Sequence, residues 1–95
     1  MPPDLHVSDV RFAAATSAEH SMGMLGYVSF VLGEAVRLDG VTVRRTRDGR
    51  RVLAFPVKHD RNGRQHSLVR PIDDAARREL EAQVLGALDL RGGAP

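Results

Sequence analysis

A chain of 95 residues, 42% hydrophobic and 27% charged, has room for one thin-cored domain and is too apolar for overall disorder. A formal net charge of +2 excludes a uniform polycation, and no apolar run nears the roughly 18 residues that span a bilayer. The lack of cysteine excludes disulfides, zinc–thiolate sites and thiol catalysis, and it fits a cytoplasmic location.

Met1-Pro2-Pro3-Asp4 has no basic region and no long apolar run, so no signal peptide is expected there. Leu5 to Phe12 reads as a first strand. Leu5 and Val7 fall on one face and Val10 and Phe12 on the other, which calls for a bulge or slip near Ser8. Ala13 to Gly23 is small and polar and reads as a loop; Gly23 and the mixed pattern oppose a helix over its alanines. Met24 to Leu32, rich in Val, Phe and Tyr, is a second strand, and Gly33-Glu34 a tight turn.

Val36 to Thr46 is a third strand, with a bulge or kink at Asp39-Gly40. Asp48-Gly49 marks the next turn. A two-residue loop there would set Arg44 against Leu53 and Thr42 against Phe55, mixing polar and apolar partners, so a longer loop is expected. Arg51 to Lys58 is a fourth strand. Asn62-Gly63 tolerates the positive φ angles of a type I′ hairpin, which would pair Arg61 with Arg64, Asp60 with Gln65 and His59 with His66. Gln65 to Val69 is a fifth strand, and Pro71 stops the sheet because it has no N–H to donate.

The last element is a helix. Asp73 is a good N-cap, and Asp74 suits the positive end of the helix dipole. Ile72, Ala76, Leu80, Val84 and Leu88 recur every four residues as an apolar stripe, with Ala87 beside it and Arg78, Glu81 and Leu85 off it. Residues 1–4 and 91–95 are expected to fray. The sum is an α+β fold: a small antiparallel sheet of about five strands followed by a C-terminal amphipathic helix. It forms a single domain over residues 1–95, with a core from about 5 to 90 and no second domain or repeats.

Charge is distributed unevenly along this pattern. Arg44 to Arg70 carries nine Lys/Arg against two Asp, while the flanks hold most of the acid. Alternating Val, Leu and Phe run through the same stretch, so the charge sits on folded strands and suits a fixed anionic partner surface. Arg61 and Arg64 at the Asn-Gly tip, with Lys58, Arg70, Arg77 and Arg78 nearby, are candidates to grip a phosphate backbone. A solvated Arg-rich surface that keeps a small protein soluble has the same composition, as does a chain from an Arg- and Ala-rich genome. Arg78 has a competing pairing with Asp74 or Glu81, each one turn away. Three Phe, one Tyr and no Trp argue against base stacking as the main contact.

Two further chemistries have only partial residue sets in this chain. Cross-strand His59 and His66 could share an ion, but Asp60 would face the other side and no third ligand is evident, so no metal or other cofactor is expected. Ser67 follows His66 directly, which turns their side chains to opposite sides of a strand, and no Gly-rich phosphate loop is present. The expectation is a protein that is not an enzyme and has no small-molecule substrate.

Ala54-Phe55-Pro56-Val57-Lys58, then Asn62-Gly63, then Arg70-Pro71-Ile72 and the helix with Arg77 resemble the SpoVG family (stage V sporulation protein G, the bacterial septation regulators). Ser8-Asp9-Val10-Arg11 and Val28-Ser29-Phe30-Val31-Leu32 fit the same pattern, so the resemblance runs from about Val7 to Leu88. It implies a small antiparallel sheet with a C-terminal helix, a homodimer, and a regulator that binds DNA and in some cases RNA. It also implies contacts at the sheet-to-helix junction and helix head, here Lys58, Arg70 and Arg77. The chain has Glu79 where the family often has a basic residue, Arg70 where it commonly has His, and an Ala-rich stretch in place of a short first hairpin. The alternative is a divergent SpoVG-like module that meets an acidic protein and no nucleic acid.

Overall fold

The computed structural model describes residues 5–90, so the expected fraying of 1–4 and 91–95 lies outside the described residues. The elements in order are β1 (Val7–Ala14), α1 (Ser17–Ser21), β2 (Met24–Leu32), β3 (Val36–Arg45), β4 (Arg51–Ala54), β5 (Val57–His59), β6 (Gln65–Ser67) and α2 (Asp74–Leu90). Strands β1 to β4 form an antiparallel meander in chain order, and β5 and β6 pair only with each other. The fold is therefore α+β with a C-terminal helix, as expected, but with six strands in two sheets. The expected fourth strand is divided: β4 ends at Ala54, and β5 starts after Pro56, which has no N–H for a ladder.

Both expected irregularities are present. Ser8 pairs with Val31 and Arg11 with Ser29, so β1 holds one extra residue, and Asp9 takes φ 46°. That slip lets Val7, Val10 and Phe12 all reach the core despite their mismatched spacing. In β3 the extra residue falls at Asp39-Gly40, between the pairs Val28–Val41 and Phe30–Leu38. A third shift, between Met24 and Gly26, was not anticipated, and it buries both Met24 and Leu25.

The Ala13–Gly23 stretch is not simply a loop. Ala13 and Ala14 finish β1, and α1 follows. Thr16 accepts from the Glu19 N–H at 3.2 Å, and the Glu19 carboxylate accepts from the Thr16 N–H at 2.9 Å. This capping box closes the single turn, and Thr-x-x-Glu was the sequence signal for it.

Helix α2 lies on one face of the four-stranded sheet. Leu80, Val84 and Leu88 pack with Phe30, Val41, Val43 and Leu53, and Ala76 is buried on the same stripe. Ile72 does not join them and is 87% exposed, because it precedes the N-cap Asp73, whose carboxylate accepts from the Ala76 N–H at 2.8 Å.

The helix also closes both margins of the sheet. At β4, Glu81 accepts from the Leu53 N–H at 2.9 Å and Arg77 donates to the Leu53 carbonyl at 3.2 Å. At β1, the Gln83 amide accepts from the Val7 N–H at 3.0 Å and donates to the Leu5 carbonyl at 2.8 Å. These side chains take the place of a neighbouring strand along part of each margin.

Candidate nucleic-acid interface

Two five-residue turns have the same construction. In Thr46-Arg47-Asp48-Gly49-Arg50, the Thr46 N–H reaches the Arg50 carbonyl at 2.8 Å and the Gly49 N–H reaches the Thr46 carbonyl at 3.0 Å. In Asp60-Arg61-Asn62-Gly63-Arg64 the equivalent bonds are 2.9 and 3.0 Å. Gly49 and Gly63 sit at φ 87° and 79°, the left-handed position that a three-residue hairpin loop reserves for glycine. The first residue's side chain locks each turn: Thr46 Oγ1 accepts from the Arg50 N–H at 3.1 Å, and Asp60 Oδ1 from the Arg64 N–H at 2.9 Å.

The longer loop expected at Asp48-Gly49 is thus present, and the type I′ hairpin expected at Asn62-Gly63 is not. The pairs are Val57–Ser67, Lys58–His66 and His59–Gln65, one residue out from the predicted register. The Asp60 carboxylate causes the shift. It draws in the N–H groups of Asn62 and Arg64, both at 2.9 Å, and fixes the wider loop. His59 and His66 consequently face opposite sides of the ribbon, which ends the case for an ion shared between them. Among the described residues, no group of three His, Asp or Glu side chains could hold a metal.

The two tips differ in charge. Asp48 lies between Arg47 and Arg50 and accepts from Arg50 at 3.1 Å. Asn62 occupies the matching position in the second turn and leaves Arg61 and Arg64 without an ion pair among the described residues. The lone acid of the ribbon, Asp60, is taken up by the turn and by His66 Nε2 at 2.9 Å. The His66 hydrogen bond, followed by the Arg64 and Asn62 N–H groups, holds the Asp60 carboxyl below its ordinary value.

Every residue from Val57 to Arg70 is exposed. The side chains of Lys58, Arg61, Arg64 and Arg70 stand there without partners among the described residues, and four cations against Asp60 leave a local charge of +3. Arginines elsewhere are mostly engaged. Arg11 and Arg37 both bind Asp9, Arg37 also bonds Ser29 at 2.9 Å, and Arg51 forks onto Asp89 at 2.9 and 2.8 Å.

At the helix head the two neighbours diverge. Arg78 is exposed and pairs with neither Asp74 nor Glu81. Arg77 takes Glu81 instead, at 3.8 Å, besides donating to Leu53 and lying 5.9 Å over the Phe55 ring. Exposed apolar side chains share this region: Leu68 is 60% exposed, and Val57, Val69 and Ile72 are also open to solvent. No protein-family model matches the chain, and no curated protein matches it.

Proposed function

We propose that this chain is a SpoVG-like regulatory protein of the bacterial cytoplasm that binds DNA, with RNA as the alternative ligand, and acts as a homodimer. The observation that carries this reading is the fully exposed Val57–Arg70 segment, in which the side chains of four cations have no partner among the described residues. Unpaired arginines on a fixed ribbon can fork onto phosphates without first breaking an internal ion pair. Arg78 adds a cation at the helix head, while Arg77 serves chiefly to position the helix against β4 and Phe55. Affinity comes mainly from phosphate neutralisation and release of counterions, so it falls steeply with salt.

The test is an electrophoretic shift across a salt series with DNA and with RNA. Changing Arg61 and Arg64 together to Ala should weaken binding to all sequences and flatten the salt slope by about two for each protomer engaged. Unchanged affinity in a folded double variant would remove the site. One observation favours a second reading: exposed Leu68 and Ile72, interleaved with cations, also suit an acidic protein partner. No binding of either nucleic acid at low salt would select that reading.

A further inference from the structure

Building on the nucleic-acid reading above, we infer that the ligand is duplex DNA and that the β5–β6 ribbon lies in its major groove, with His59, Gln65 and Ser67 turned to the base edges. Among the described residues the ribbon pairs with no other strand and all its residues are exposed, so none of them blocks its approach to a groove. Strands about 4.8 Å apart, widened by their side chains, match a major groove about 12 Å wide and overfill a minor groove about 6 Å wide. The deep, narrow major groove of duplex RNA would not admit them.

The register separates the two faces. Val57 opposite Ser67 and His59 opposite Gln65 share one face, and Lys58 opposite His66 forms the other. The Lys58 face is committed to building the tip, because His66 holds Asp60 and Asp60 holds the turn. On the opposite face, the side chains of His59, Gln65 and Ser67 have no partner among the described residues. Those are side chains that read bases: the Gln amide matches adenine N6 and N7, Ser can donate or accept, and the Val57 methyls suit a thymine methyl. Arg61 and Arg64 at the tip of the ribbon and Arg70 beyond its other end flank this face and can reach phosphates on the groove walls. Rails of three residues, at about 3.3 Å per residue, cover about three base pairs.

The experiment compares a mixed-sequence DNA duplex, the same sequence as duplex RNA and its single DNA strand, all at low salt. The DNA duplex should bind at least about tenfold tighter than the RNA duplex. Bound protein should shield guanine N7 from dimethyl sulfate, and a minor-groove drug such as netropsin should not displace it. Against the best site from a selection on random duplexes, Gln65→Ala should lose about 5- to 100-fold of preference while keeping the salt slope and its binding to random DNA. Equal or tighter binding of RNA or single strands, unshielded N7 or displacement by netropsin would overturn the groove assignment. So would full retention of preference by Gln65→Ala. If those ligands bind and the Arg61/Arg64 variant weakens them, the broader reading survives and only the major-groove inference falls. Absence of all binding removes both.

Discussion

Leu53 presents its N–H and carbonyl to Glu81 and Arg77, two side chains one helical turn apart. Their roles differ in kind from those of Arg61 and Arg64, whose side chains have no partner among the described residues. Glu81 keeps only 17% of its side chain exposed, so removing it leaves the Leu53 N–H in a poorly hydrated place. Glu81→Ala should cost about 1–3 kcal/mol in urea denaturation, and Glu81→Gln should recover part of that because it keeps an acceptor. A loss of stability equal in both variants would mean that the carboxylate acts by charge alone. The sequence places Arg77 at the helix head, where α2 holds it. It could not show which strand margin would lie beside it, since that depends on how the helix docks.

At the scale of the elements, the second turn depends on a charged carboxylate. The Asp60 carboxyl is held below the ordinary 3.8 by the His66 hydrogen bond and two backbone N–H groups. A group with a depressed folded pKa contributes order that is full above its unfolded value and is lost as pH falls through the folded one. The ribbon tip should therefore stay ordered down to about pH 4 and loosen below it, seen as coupled shifts of the Asn62 and Arg64 amides in NMR. His66→Ala should move that transition to higher pH, and an Asp60 midpoint at or above 3.8 would contradict the account. The same turn shows what was legible in the chain. Asn62-Gly63 marked the reversal, but the register depended on a side chain three residues upstream of the glycine capturing backbone groups. At Asp48-Gly49 the polar–apolar mismatch of the shorter loop gave the answer beforehand. Strand β2 was readable at both ends because Val, Phe and Tyr fill it between two glycines. The break at Pro56 was harder to see, since apolar residues continue on both sides of it.

Across the whole molecule, charge and apolar surface are sorted by position. Carboxylates neutralise the arginines of the large sheet that lie near Asp9 and Asp89, whereas the ribbon cations and Arg78 at the helix head have no ion pair among the described residues. Leu68 and Ile72 lie beside those cations and remain open to solvent. A thin-cored chain of this size gains by covering such side chains with a second copy. Sedimentation equilibrium should therefore report a dimer that Leu68→Ser with Ile72→Ser converts to a folded monomer. A wild-type monomer at high concentration would refute the dimer. The charge excess of Arg44 to Arg70 was visible in the sequence, whereas its division into spent and free arginines required the packed positions of Asp48 and Asp89. The Gln83 amide has a further consequence, for how the chain is made. It lies 76 and 78 positions beyond the backbone groups that it satisfies. During translation the meander can assemble well before Gln83 emerges from the ribosome, so the nascent sheet spends that interval with two adhesive rims. Chaperone demand should peak in that window, and the arrival of one glutamine helps to end it.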